Sequence, residues 1–256
     1  MYSSNSTNIL LYGSGIFTTV AIFDRQPFLW KKHWRRLSEN AAKLGIDISQ
    51  YSEKSVTDSL AEVIAKNAVT NGRGRITFAD ESQSGMWGGK GEKKTSLLII
   101  TGRRREIPED LKLTVSPHRI NTTSPLVGVK SCNYLEHLMA FEEAKNRGFQ
   151  EAIRLNERGE VASACMANVF WLKGEKLFTP SLLTGCLAGT TREFVLEDLE
   201  CGEVEAGIEA IQDADAIFIT SAGIGVVQAA EFDGQKKRIT NHAIRRLVPS
   251  NAELPA

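Results

Sequence analysis

From Leu29 onward the apolar positions Trp30, Trp34, Leu37, Ala41 and Leu44 recur at alternating steps of three and four. That spacing lays one apolar stripe along a helix, and the stripe stops at Gly45, a residue suited to ending helices. Val56, Leu60, Val63, Ile64 and Ala68 repeat the pattern, with Asn71-Gly72 as the expected stop. Ahead of these helices Ile9–Tyr12 reads as a short strand, Gly13-Ser14-Gly15 as a turn, and Ile16–Phe23 as a second strand. Further strands are expected at Arg75–Phe78, Ser96–Thr101 and Leu111–Ser116. In the last of these Leu111, Leu113 and Val115 alternate with Lys112 and Thr114. The glycine-rich stretch Ser82–Lys94 is expected to be a mobile surface loop.

Polar Asn121–Pro125 separates this half from a new run of elements, which places the domain boundary there: a smaller N-terminal domain over 1–120 and a larger C-terminal one over 121–256. The second half opens on a helix over Leu135–Lys145, closed by Gly148, followed by a strand at Glu151–Leu155 and a turn at Glu157-Arg158-Gly159. Val169–Leu172 and Lys176–Thr179 read as a hairpin joined by the three-residue turn Lys173-Gly174-Glu175. Thr190-Thr191-Arg192-Glu193 has the form of a capping box, opening a helix that continues to about Leu199. The whole is an α/β (α+β) protein.

Composition narrows the functional classes. The 256 residues carry 31 Lys plus Arg against 31 Asp plus Glu, so no global field favours a polyanion, and neither nucleic acid nor a membrane surface is expected as a partner. The Arg103-Arg104-Arg105 run is followed by Glu106, Glu109 and Asp110 and reads as a solvated turn. Four cysteines without C-x-x-C spacing point to reduced thiols and a cytoplasmic location. Apolar stretches such as Leu97–Ile100 are too short to span a bilayer. The four scattered histidines make no case for a metal.

Any anion must then be bound locally. Thr184-Gly185-Cys186-Leu187-Ala188-Gly189 runs into the helix start at Thr190, where unpaired amides, the helix dipole and two hydroxyls suit a phosphate; the same residues also make a well-capped helix with no ligand. Thr220-Ser221-Ala222-Gly223, at the end of an apolar strand, could meet the same ligand. Lys130 stands between an expected strand and a helix, where partial desolvation would lower its pKa and expose an imine-forming amine. Arg36 borders the stripe of the first helix, where it can snorkel or bind an anion.

These signals fall in one order. His33-x-x-Arg36-Leu37, Gly128-Val129-Lys130-x-x-Asn133-Tyr134-Leu135, Gly159-x-Val161 with Ala167-Asn168-Val169-Phe170-Trp171, Leu177-x-Thr179-Pro180 and Gly189-Thr190-Thr191-Arg192 together resemble the class IV aminotransferase family of pyridoxal-phosphate enzymes, over nearly the whole chain. Gly13-Ser14-Gly15-Ile16-Phe17-Thr18-Thr19 and Ala167–Trp171 are similar to segments of its 4-amino-4-deoxychorismate lyase branch. The resemblance implies the two-domain fold type IV with pyridoxal 5'-phosphate in the interdomain cleft, and a homodimer. It implies that Lys130 forms the Schiff base and shuttles the proton, that Arg36 clamps the phosphate, and that Gly189, Thr190, Thr191 and Thr220, with Ser221, cradle it. The activity implied is cleavage of 4-amino-4-deoxychorismate, an amino-acid-like small molecule of the folate pathway, to 4-aminobenzoate and pyruvate. A branched-chain or D-amino-acid aminotransferase of the same family is the alternative, and a catalytically impaired cofactor-binding homologue is a third.

Two positions depart from the family pattern. Ser163 stands where the family's glutamate pairs with the pyridine nitrogen, and Ser14 where an aspartate is common. A serine cannot supply the charge that keeps the ring nitrogen protonated; Glu160 is the nearest carboxylate in sequence. Arg73, Arg75 and Arg119 are the candidates for binding a substrate carboxylate.

Overall fold

The computed structural model of the protein describes residues 7–83, 92–106 and 108–248. It divides into two compact units: Met1–Arg104 with Val129–Tyr134, and Arg105–Gly128 with Leu135–Ala256.

The first unit holds α1 (Asn8–Tyr12), β1 (Gly15–Phe23), β2 (Gln26–Pro27), α2 (Trp30–Leu44), α3 (Glu53–Lys66), β3 (Gly72–Asp80) and β4 (Thr95–Gly102). Its four strands form one antiparallel sheet in the order β2-β1-β3-β4. Alternate residues Ile16, Val20 and Ile22 of β1 and Ile76 and Phe78 of β3 are buried in one core with Leu37 and Ala41 of α2 and Val56, Leu60 and Ile64 of α3. The stripes read from sequence are therefore the faces the two helices bury. Gly45, at φ 67°, closes α2 with its amide directed to Ala41 and Ala42. The helix α3 starts on a Ser52/Ser55 capping box and ends at Lys66, earlier than its apolar period suggests, because Ala68 turns the chain at φ 52°.

One expectation fails here. Ile9–Tyr12 belongs to α1, a five-residue helix closed by Gly13 at φ 65°, and not to a strand. Four consecutive apolar residues carry no period that separates the two. Of the loop expected at Ser82–Lys94, residues 84–91 lie outside the described residues; at its base the Glu81 amide donates to the Lys94 carbonyl (2.8 Å).

The second unit contains β5 (Lys112–Val115), α4 (Leu135–Asn146), β6 (Glu151–Leu155), β7 (Val161–Ala164), β8 (Asn168–Lys173), β9 (Lys176–Pro180), α5 (Thr190–Asp198), β10 (Cys201–Val204), α6 (Glu209–Gln212), β11 (Ala216–Ser221), β12 (Gly225–Gln228), β13 (Glu231–Phe232), β14 (Gln235–Lys236) and α7 (Ile244–Leu247). Two five-stranded sheets, β10-β9-β8-β11-β12 and β14-β13-β5-β6-β7, share a core built from Leu113, Ile153 and Val161 of one and Val169, Trp171 and Ile219 of the other. The β8–β9 hairpin pairs Lys173 with Lys176, so its turn is the two residues Gly174-Glu175 instead of three, with Gly174 at φ 60°.

The arginine run is not simply solvated. The Arg104 guanidinium lies 4.8 Å from the Phe23 ring centroid within the first unit. Arg105 of the second pairs at 3.4 Å with Glu151, whose side chain is fully buried.

Candidate active site

The Lys130 segment runs beside β1. The Phe17 amide donates to the Lys130 carbonyl (2.9 Å) and the Cys132 amide to that of Gly15 (2.8 Å), so β1 sets Lys130 in register with Phe17. The Lys130 Nζ donates to the Tyr134 hydroxyl at 3.1 Å and lies 4.6 Å from the ring centroids of both Phe17 and Tyr134. Those rings meet edge to face, 5.1 Å apart. Lys130 as a whole residue is only half-buried, but its amine end is enclosed. Burial foremost, then the charges of Arg36 and Arg75, pull its pKa down to about 7. Near neutral pH a large share of the amine is therefore uncharged and nucleophilic.

On α2, His33 and Arg36 are one turn apart and both buried. Arg36 Nη2 donates to Thr18 Oγ1 at 2.7 Å, and Thr18 Oγ1 is 2.7 Å from His33 Nδ1. The three candidate carboxylate-binding arginines part company. Arg75 stacks over the Phe17 ring at 3.5 Å and acts on Lys130. Arg73 is exposed further along β3, opposite Ala21. Arg119, in the second unit, is exposed and donates to the Asn156 carbonyl at 2.9 Å. Ser14 donates to Asp80 at 3.0 Å.

In the second unit Gly189, Thr190 and Thr191 are all buried at the start of α5. The capping-box expectation is off by one residue: Gly189 occupies the cap and Thr190 is already helical, so the cap residue brings no side chain of its own. The first-turn amides have no acceptor within the helix. Thr220 pairs in register with Asn168 across β11 and β8. Asn168 donates to the Leu187 carbonyl (2.9 Å), and its Oδ1 would stand 2.0 Å from a Cβ added at Gly189. Any larger residue there has to displace the Asn168 side chain or the loop. Asn168 thus ties the cradle loop to the sheet, a role its motif did not disclose. Thr220 is fully buried, and its Oγ1 has no hydrogen-bond partner among the described residues. Such a hydroxyl costs about 1–3 kcal/mol unless a ligand satisfies it. Together with the amides of α5, it fits a phosphate.

Ser163 is buried on β7, opposite Arg154 of β6. Arg154, also buried, donates to the carbonyls of His118 and Arg119 at 3.0 Å each and contacts Glu136. Glu160 is engaged by Asn156 (2.7 Å) and Arg158 (2.7 Å).

Within the first unit, a buried amine with a pKa near 7 suits chemistry on amines or carbonyls; within the second, a glycine cradle beside an orphaned hydroxyl suits a phosphate. The sequence profile of the family amino-transferase class IV matches residues 15–232. The chain is 31% identical over 228 residues to the aminodeoxychorismate lyase of Bacillus subtilis, covering 85% of this chain and 77% of that protein. It is 30% identical over 234 residues to an assigned branched-chain-amino-acid aminotransferase of Methanocaldococcus jannaschii, covering 88% and 81%. The branched-chain amino acid aminotransferase of Escherichia coli has a similar solved fold, with a TM-score of 0.85, 24% identity, and coverage of 96% of this chain and 87% of that one. The chain belongs to the class IV aminotransferase family and is an enzyme of that family.

Proposed function

We propose that the protein is a pyridoxal-phosphate-dependent lyase that converts 4-amino-4-deoxychorismate to 4-aminobenzoate and pyruvate. The observation that carries the cofactor reading is the Lys130 amine, buried against Phe17 and Tyr134 with a pKa near 7. Arg36 takes the phosphate through charge-assisted hydrogen bonds; Gly189, Thr190 and Thr191 offer it amides and hydroxyls, and Thr220 its free Oγ1. When bound, pyridoxal phosphate supplies a ring that delocalises the electrons released when the substrate loses its proton. Lys130 Nζ accepts that proton and returns it to the departing group, with Tyr134 holding the amine in place. Arg75, the arginine that acts on Lys130, is the one to meet a substrate carboxylate.

Ser163 favours elimination over amino transfer. With Ser163 in place of a carboxylate, and the permanently charged Arg154 opposite it, a proton on the ring nitrogen gains no stabilisation. Negative charge on the substrate is then short-lived and is best discharged by expelling a leaving group. The atoms of the substrate partition wholly between 4-aminobenzoate and pyruvate, so no second substrate is required. The aminotransferase reading rests on the M. jannaschii relative and differs in needing a keto-acid acceptor. Incubating the cofactor-loaded protein with 4-amino-4-deoxychorismate and no keto acid should release pyruvate. Amino transfer to 2-oxoglutarate with no pyruvate would establish the aminotransferase instead.

The active form is a homodimer, supported by the exposed Leu135, Leu138 and Met139, which follow one face of α4. No helix among the described residues is long and apolar enough to cross a membrane, and the four cysteines are free thiols, which suits the cytoplasm.

A further inference from the structure

We infer that Thr18 and His33 are positioning residues that aim Arg36 at the cofactor phosphate, with His33 acting as the neutral tautomer protonated at Nε2. Thr18 lies on the face of β1 that also carries Ile16, Val20 and Ile22, a row otherwise apolar and packed into the core with α2. Its side chain is fully buried. A valine would serve the packing alone, so a hydroxyl here must be bonded to be tolerated.

One partner fixes the direction of its bond, and the need to satisfy the hydroxyl proton sets the other. A guanidinium is donor-only, so the Arg36 Nη2 contact at 2.7 Å makes Thr18 Oγ1 an acceptor. A hydroxyl can accept twice, but accepting from an Nδ1–H as well would leave the buried Thr18 proton without an acceptor among the described residues. With that proton donated to His33 Nδ1, also at 2.7 Å, both groups are satisfied and Nδ1 presents a lone pair. His33 is 1% exposed. Burial first, then the charges of Arg36 and Lys130, hold its pKa well below the usual histidine range, in agreement with a neutral ring. The relay anchors one edge of the guanidinium from beneath. A long side chain carries much rotamer freedom, and fixing it before the ligand arrives makes each bond it forms more favourable.

The inference rests on the reading of Arg36 as the phosphate ligand, and the test separates the two. The affinities of pyridoxal 5'-phosphate and of pyridoxal, which lacks the phosphate, are measured for the full chain and for Thr18→Val, Thr18→Ser and Arg36→Ala. We expect Thr18→Val to weaken pyridoxal phosphate about tenfold and leave pyridoxal unchanged, Thr18→Ser to recover to within about twofold of the native chain, and Arg36→Ala to lose more than Thr18→Val. If Arg36→Ala weakens pyridoxal phosphate and Thr18→Val does not, the relay is wrong and the phosphate reading stands. If Arg36→Ala has no effect, both fall. Equal losses for the two ligands in Thr18→Val would mean general damage to the unit and overturn the relay. Nitrogen NMR of His33 in the native chain decides the matter even if a variant fails to fold: an unprotonated Nδ1 with a protonated Nε2 at pH 7 is expected, and an imidazolium or the opposite tautomer overturns the proposal.

Discussion

The two units prepare for a ligand in opposite ways. In the first, the work falls to charged side chains held close together: Lys130, Arg36 and Arg75 lie near enough to depress the pKa of Lys130 to about 7. In the second, it falls to backbone and small residues: Gly189 is packed against Asn168 at the start of α5, and the buried Thr220 hydroxyl has no hydrogen-bond partner among the described residues. The first arrangement stores electrostatic strain and the second stores desolvation. Substitutions in the first should therefore change chemistry and pH dependence, and those in the second should change affinity and loop order.

The largest expected effect is at Lys130. Lys130→Met keeps the length of the side chain and removes the amine, and should lower the rate of any cofactor-dependent reaction about 10³-fold or more. The apoprotein should at the same time become more stable at pH 7, because a buried amine is exchanged for an apolar group. The sign follows from linkage. The folded-state pKa of about 7 lies below the ordinary 10.5, so the unfolded chain binds more protons between those values and native stability rises with pH across that window. The stability advantage of Lys130→Met should shrink from pH 7 to about 10.5 in parallel denaturation curves. His33, also depressed, adds a loss of stability as the pH falls below about 6.5, the value at which the unfolded histidine begins to protonate.

Next in size is Gly189→Ala. The added Cβ would sit 2.0 Å from Asn168 Oδ1, forcing the loop or the asparagine to move at a cost of roughly 1–3 kcal/mol. We expect a lower melting temperature for the apoprotein and weaker binding of pyridoxal phosphate, both read by calorimetry. An unchanged affinity would take the cradle out of the site. Asn168→Ala should weaken binding by a smaller amount, since it frees the Leu187 carbonyl without a clash.

The smallest effect is expected at Ser163, and it sharpens the comparison most. Ser163→Glu should shift the products toward amino transfer, read as the ratio of transaminated keto acid to pyruvate. Because the new carboxylate would face the guanidinium of Arg154 across the strand pair, the shift should be modest alone and larger when Arg154 is also replaced by valine. An unchanged ratio in both would mean that position 163 does not act on the ring.

What could be read from sequence divides by the range of the interaction. The helices α2 and α3 were legible because their packing is periodic, and most strands because they alternate. The helix α1 was not, since four apolar residues in a row fit either class and Leu10, Leu11 and Tyr12 prove exposed. The start of α5 was legible to within one residue, because glycine can take the cap that the threonine pattern also suggested. The chemistry of Lys130 was anticipated in kind, but its partners were not: Phe17 and Arg75 are far from it in sequence and meet it only through the β1–β3 pairing. Thr18 and His33 were visible in the motifs without a role, because the hydrogen bonds that define them join a strand to a helix 15 residues on.

The proposed activity depends most on Lys130 being the amine that engages the cofactor. Borohydride reduction of the cofactor-loaded native chain, followed by peptide mapping, tests this directly. The pyridoxyl label should be recovered on Lys130 alone, and its formation should follow a group titrating near pH 7. Recovery of the label on any other lysine, or on none, would contradict it.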